Sequence, residues 1–264
     1  MRYKEEFKKK KRQSALLKFI GKILFACVIA AALVYVLFFA KLFDVRAVEV
    51  RSPSTISATD VQHIAVEVLE KRWLGISRQR NIIIFSPQAI RSELLRTIPR
   101  IKEVAIKRSS LHTLEIAVSE REAIGMWCLV QIERCYYFDE SGTAFAELLP
   151  TTGYRFIAIS DSRDRIIMLG SSVATAAWRD HILGVKKHLQ FGGISIAEVQ
   201  IPPDSYEEFH VVTREGWKIL MSNDTNIERQ ITSMLLLLKK DFTPDTRRAL
   251  QYMDLRVDDR IYYK

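Results

Sequence analysis

Apolar residues are gathered most densely at one place. From Ile23 to Ala40 the chain reads ILFACVIAAALVYVLFFA, 18 residues without a charge or a proline, bracketed by Lys22 and Lys41. As a helix rising about 1.5 Å per residue it covers roughly 27 Å, close to the ~30 Å of a bilayer core. A core helix of a globular domain repeats a polar stripe every three to four residues, and none interrupts this run. A signal peptide shares the basic-then-apolar start, but its apolar region stops after about 7–15 residues at a small-x-small site. Here the end reads Phe38-Phe39-Ala40-Lys41, so the pattern predicts a retained membrane helix over residues 23–41.

Residues 42–120 change period several times. Phe43, Val45, Val48 and Val50 suggest a strand with one phase slip near Arg46-Ala47. Ser57-x-x-Asp60 is a helix start, followed by Val61, Ile64, Ala65, Val68 and Leu69 on one face. After a loop with Gly75 and the apolar NIIIF of residues 81–85, Ser86-Pro87 opens a second helix carrying Ile90, Leu94 and Ile98, which Pro99 ends. Alternation over 101–108 and 111–120, about Ser109-Ser110, predicts a hairpin. The order is strand, helix, helix, strand, strand, with both helices on one face of a small sheet.

Residues 121–264 read as a second, β-rich domain. Ala123–Val130 and Cys135–Asp139 form a hairpin, Asp139-Glu140-Ser141-Gly142 is a turn, and Thr143–Ala146 follows. Short strands are expected at 154–160 and 165–169, a helix over Ser172–Phe191 ended by Gly192-Gly193, and strands at 194–201, 207–213 and 217–222. Thr225-x-x-Glu228 resembles a capping box for a helix with Ile227, Ile231, Met234, Leu235 and Leu238 on one stripe. In the closing segment Met253, Leu255 and Val257 alternate with Asp254, Arg256 and Asp258. The fold class is α+β: a transmembrane helix, a βααββ domain, then a mixed or antiparallel sheet with packed helices.

Charge adds orientation. The formal net charge is +9, yet residues 1–22 hold nine bases and two acids, leaving only +2 for the other 242 residues. Few bases follow the apolar run, so the tail 1–22 is expected in the cytoplasm and residues 42–264 outside it. A lysine-rich segment beside a span is explained by topology and by anionic lipid; no nucleic-acid partner is expected. Outside the cytoplasm disulfides form. If Gln131-Ile132 is a two-residue turn, Cys128 falls opposite Cys135, with Cβ atoms about 4.5–5.5 Å apart. A bridge is favoured over two free thiols, while Cys27 in the apolar run is a small apolar filler.

The residues F43-x-V45-x-x-V48-x-V50, IPRIKEVAIKR (98–108), LHTLEIAVSERE (111–122) and Trp127 resemble the POTRA domain and adjoining segment of the FtsQ/DivIB bacterial division proteins. The DESG turn at 139–142 resembles that family's aspartate-x-x-glycine turn, and Asp254-Leu255-Arg256 its last strand motif. The resemblance implies a tail (1–22), an anchor (23–41), a POTRA domain (42–120) and a β domain (121–264). It also implies a single-pass protein of the cytoplasmic (inner) membrane at the division septum. Such a protein binds FtsB/DivIC-like and FtsL-like partners, contacts other divisome membrane proteins through its POTRA domain, and helps control septal peptidoglycan synthesis without catalysing it.

Enzyme motifs are absent: there is no GxSxG, P-loop, GxGxxG or HExxH. His63, His112, His181, His188 and His210 lack ligands at metal spacing, so no catalytic residue, cofactor or metal is assigned. The alternatives are an anchored cell-wall hydrolase or transferase, or a POTRA-type secretion or assembly factor, the latter expected to continue into a β-barrel that residues 172–264 do not suit. The partner site is expected in the last strand, at Val257, Asp258, Asp259, Arg260, Ile261, Tyr262 and Tyr263, where a free edge accepts another strand. The competing role for those aromatics is to close the core.

Overall fold

In a computed structural model of the chain, residues 19–36, 41–73, 77–78, 80–148, 157–205 and 207–264 are described. The tail to residue 18, positions 37–40 of the apolar run, Gly75 and the expected strand start at 154–156 lie outside them. Helix α1, Phe19–Val36, begins four residues before the charge-free run and is exposed along its whole length. An apolar helix with no protein around it suggests a single-pass membrane anchor. The chain is mixed α+β and divides into two compact units, residues 1–94 with 103–119 and residues 95–102 with 120–264.

After a 3-10 turn at Lys41–Phe43 come β1 (Ala47–Arg51), α2 (Ala58–Glu70), α3 (Pro87–Thr97), β4 (Ile101–Arg108) and β5 (Thr113–Glu120), with a small ribbon of β2 (Arg72–Trp73) and β3 (Ser77–Arg78) between the helices. The sheet order is β1-β5-β4, and β1 runs parallel to β5 with Ala47 opposite Thr113. The helix starts are side-chain capped: Ser57 Oγ accepts the Asp60 N–H at 3.2 Å, and Ser86 Oγ accepts the Ala89 N–H at 3.2 Å. Val61, Ala65, Val68 and Leu69 of α2 and Ile90 and Leu94 of α3 are buried, as are Leu114, Ile116 and Val118 on one face of β5. Each such Val, Leu or Ile side chain contributes roughly 1.5–3 kcal/mol.

Two boundaries differ from expectation. β1 starts at Ala47 rather than Phe43, because the preceding backbone bonds to another segment: Val45 N–H donates to Arg80 O at 2.8 Å, and Phe43 O accepts from the Ile82 N–H at 2.8 Å. β5 starts at Thr113 rather than Leu111, whose side chain is 66% exposed at the hairpin tip.

The second unit holds a sheet in the order β14-β13-β12-β11-β10-β9-β6-β7-β8. Its strands are β6 (Gly125–Leu129), β7 (Arg134–Phe138), β8 (Ala144–Leu148), β9 (Ile157–Asp161), β10 (Ile196–Ile201), β11 (Glu208–Thr213), β12 (Lys218–Ser222), β13 (Tyr252–Asp254) and β14 (Tyr262–Tyr263). Helix α4 (Ala176–Phe191) joins the parallel pair β9 and β10, while α5 (Ile227–Asp241) and the short α6 (Pro244–Arg248) join the parallel pair β12 and β13. The core packs Trp178, Ile182, Val185 and Leu189 of α4 and Ile231, Met234 and Leu238 of α5 with Trp127, Phe209, Val211, Ile219 and Met253 of the sheet. Gly192 ends α4 where an added Cβ would run into the methyl groups of Leu235 from α5, so a side chain there has to push Leu235 aside.

Four local expectations are corrected. Residues 165–169 are a loop, with Ile166 84% and Met168 70% exposed. α4 starts at Ala176 rather than Ser172, capped by Thr175, whose Oγ1 accepts the Trp178 N–H at 3.3 Å. Asn226, not Thr225, caps α5: its Oδ1 accepts the Arg229 N–H at 3.0 Å, while Thr225 Oγ1 donates back to Ser222 O. The β6–β7 connection is four residues long, a 3-10 turn at Val130–Ile132 closed by left-handed Glu133 at φ 53°.

That longer turn leaves the register unchanged. Cys128 lies opposite Cys135, with Cα atoms 3.9 Å and Sγ atoms 2.02 Å apart.

A candidate partner-binding edge

The nine-strand sheet presents its helix-free face with alternating, half-exposed side chains. Ser160, Glu198, Gln200, His210, Lys218, Tyr252 and Asp254 are on it. They are laced together: Ser160 Oγ donates to Glu198 Oε2 at 3.1 Å and Lys218 Nζ to Gln200 Oε1 at 3.1 Å. Burial, with Lys218 and Arg256 nearby, lowers the pKa of His210 despite Glu208 and Asp254.

At the end of β13, Asp254 accepts from its near neighbour Arg256 three times, from the N–H at 3.0 Å, Nε at 2.9 Å and Nη2 at 2.7 Å. Arg256 Nη1 continues to Glu208 Oε2 at 2.8 Å. The Arg256 bonds outweigh burial and hold the Asp254 carboxyl below its usual range, while the same bonds raise Arg256. This local fork turns the chain out of the sheet, so the expected strand running on through Val257 is not formed.

Residues 257–260 make a turn instead. Arg260 N–H donates to Val257 O at 3.4 Å, and Asp259 takes a left-handed φ of 60°. Helix α5 holds this turn: Gln230 Nε2 donates to Val257 O at 2.9 Å, and Arg229 Nη2 meets Asp259 Oδ1 at 2.6 Å. Gln230 Nε2 also reaches Asp258 Oδ1 at 3.4 Å.

The chain then returns as β14, antiparallel to β13, with Met253 opposite Tyr263 and Asp254 opposite Tyr262. Lys264 and Tyr252 exchange N–H···O bonds at 3.2 and 3.4 Å, which makes Tyr263 the alternate residue whose N–H and C=O point away from β13. No strand lies beyond β14 among the described residues.

Of the seven expected site residues, Ile261 packs on the core while Val257, Tyr262 and Tyr263 stay 46%, 49% and 53% exposed. Tyr263 sets its ring edge-on to Phe242 at 5.2 Å, and Arg260 Nη1 lies 3.5 Å from Tyr262 Oη. Sequence reasoning missed Arg229, Gln230 and Phe242. The signal for Gln230 was present: a polar residue in the apolar stripe of α5, buried in the structure, needs a bonded partner.

Two buried carboxylates elsewhere are fully engaged. Asp161, at the end of β9, accepts from Trp127 Nε1 at 3.0 Å and from Arg163 Nε and Nη2 at 2.9 Å each, with Arg165 Nη1 at 3.5 Å. Asp139 begins the DESG turn; its Oδ1 accepts from the Ser141 N–H, Ser141 Oγ and the Thr143 N–H at 2.9, 2.6 and 3.0 Å, and Arg121 Nη1 binds Oδ2 at 2.5 Å. Gly142 completes that turn at φ 77°. Burial alone would raise both carboxyls, but these donors, Ser141 foremost at Asp139 and Arg163 at Asp161, hold each below its usual range. Among the described residues no group of three His, Cys, Asp or Glu side chains is placed to hold a metal ion, and His181 Nδ1 is paired with Asn223 Oδ1 at 2.9 Å.

Residues 43–121 match the family model of the POTRA domain, FtsQ-type. No curated protein matches the chain. Domains of this type belong to division-related scaffolds that are generally non-catalytic and work through protein–protein contacts. With an apolar helix before the POTRA domain and a larger sheet with helices after it, the chain fits the FtsQ/DivIB family.

Proposed function

We propose that this chain is a non-enzymatic scaffold of the bacterial division complex. Its N-terminus lies in the cytoplasm, α1 spans the cytoplasmic membrane, residues 42–120 form the POTRA domain and residues 121–264 the partner-binding β domain. At the septum it gathers FtsB/DivIC-like and FtsL-like proteins and so helps control septal peptidoglycan synthesis, with the POTRA domain contacting other divisome membrane proteins.

The observation that carries this proposal is the β14 edge: an outward-facing N–H and C=O at Tyr263, flanked by the half-exposed rings of Tyr262 and Tyr263. A partner segment adding there as a strand gains backbone bonds from the edge and side-chain contacts from Val257 and the two tyrosines. Arg260 and the Arg229–Asp259 pair supply a polar rim, with Asp258 held beside them by Gln230. Cys128–Cys135 is bridged in the exported protein and staples the hairpin β6–β7.

Affinity purification of the full chain from its native membrane, beside a chain lacking residues 257–264, tests the site. A shortened protein that keeps its cooperative melt but loses the division partners supports it. Unchanged capture of those partners would sink it.

A further inference from the structure

The end of the POTRA domain nearest the membrane in the chain combines exposed apolar and basic side chains. The apolar run ends at Ala40, and Lys41–Phe43 follow as a single 3-10 turn, which at about 2 Å per residue rises only ~6 Å. Three further residues, even fully extended, add at most ~11 Å before β1 begins. Chain length alone therefore keeps residues 41–46 within about 17 Å of the hydrocarbon edge, of which the lipid head groups occupy about 5–8 Å.

Two other segments are bonded to that stretch. Ile82 N–H donates to Phe43 O at 2.8 Å, and His112 Nδ1 lies 3.1 Å from Asp44 O. The parallel register of Ala47 with Thr113 sets the β4–β5 tip, residues 109–112, level with residues 43–46. Arg108 Nη2 reaches Ile83 O at 3.4 Å and its guanidinium stacks over Phe85, tying the tip to the NIIIF segment. Leu42, Ile83 and Leu111 are left 60%, 41% and 66% exposed at this end. Lys41, Arg46, Lys107 and Arg108 are exposed beside them; of the nearby acids, Asp44 is half-buried and Glu70 is paired with Arg80 at 3.9 Å.

We propose that this end of the POTRA domain is a lipid-contacting face: Leu42, Ile83 and Leu111 enter the head-group layer while Lys41, Arg46, Lys107 and Arg108 meet anionic lipid. The contact limits how the domain swings about the anchor. It rests on α1 spanning the bilayer. Apolar side chains partition into the interface, and each base near an anionic leaflet strengthens association roughly five-fold.

The test uses the full chain with Cys27→Ser, reconstituted into vesicles of phosphatidylcholine with and without phosphatidylglycerol. An environment-sensitive fluorophore is placed at Leu111→Cys or, as the remote control, at exposed Ser119→Cys near the far end of β5. Quenching by head-group nitroxide lipid is expected to be several-fold stronger at 111 than at 119. It should rise with phosphatidylglycerol and fall in the Arg46→Glu, Lys107→Glu double variant. Equal quenching at 111 and 119 in protein that resists alkaline carbonate would overturn this contact and leave the anchor intact. Release by carbonate would overturn both.

Discussion

Replacing Tyr263 by proline separates backbone from side-chain recognition at the β14 edge. Tyr263 N–H points away from β13, so a proline there removes no bond of the native sheet; the inner bonds belong to Lys264 and Tyr252. Tyr263→Ala removes the same ring and its edge-on contact with Phe242, worth about 0.5–1.5 kcal/mol of folding stability, but keeps the N–H. Both variants should therefore melt alike.

They should bind differently. Proline deletes one donor to an added strand and leaves the partner's carbonyl unpaired on desolvation, a loss of about 1–3 kcal/mol. The proline variant should therefore bind the captured division partner roughly 5- to 150-fold more weakly than the alanine variant. Titrating the purified partner fragment against each full-length variant in detergent, with melts run in parallel, measures both quantities. Equal affinities for the two variants would refute strand addition at this edge, and affinities equal to that of the unaltered chain would remove the edge from recognition altogether.

Other perturbations probe the frame that holds the edge. Asp161→Ala leaves Arg163, Arg165 and Trp127 Nε1 without their shared acceptor and should cost about 3–5 kcal/mol in a urea titration. Gly192→Ala forces Leu235 to rotate away from the new Cβ, lowering stability by about 1 kcal/mol with no loss of partner capture. Protein alkylated before lysis should show Cys128 and Cys135 protected; two reactive outer thiols would contradict the bridge. Asp139, Asp161 and Asp254 titrate below their unfolded values, so the unfolded chain takes up their protons first on acidification. Stability from these groups is complete above about pH 5 and falls as the pH drops through the carboxylate range, and Asp254→Asn should flatten that fall in pH-dependent melts.

Periodicity made the first unit legible because its signals are local. Ser57 and Ser86-Pro87 cap their own helices, and the stripes Val61-Ala65-Val68 and Ile90-Leu94 need only one sheet face to cover them. The misplaced boundaries were set by distant bonds. The Val45 N–H donates to Arg80 O and Phe43 O accepts from the Ile82 N–H, partners that no window around residue 46 reveals. The caps at Thr175 and Asn226 competed with equally plausible hydroxyls nearby, at Ser172 and Thr225, each of which donates to a local carbonyl instead. The apolar pattern of Ile166-Ile167-Met168 mimics a strand, but only Ile167 turns inward.

The candidate edge was legible by position and illegible by shape, and the cause is a device used twice. Asp161-x-Arg163 and Asp254-x-Arg256 each close a carboxylate onto the N–H and guanidinium two residues on, at the last residue of a strand with a parallel neighbour. After β9 the fork releases a loop; after β13 it releases the turn that Gln230 and Arg229 catch from α5. β14 has only two paired residues, too few to hold itself in place, since even a whole two-stranded hairpin is marginal alone in water. Its position therefore depends on one helix as much as on the sheet. A partner strand added outside Tyr263 would convert β14 from an edge into an interior strand, so partner binding and ordering of the C-terminus should strengthen together.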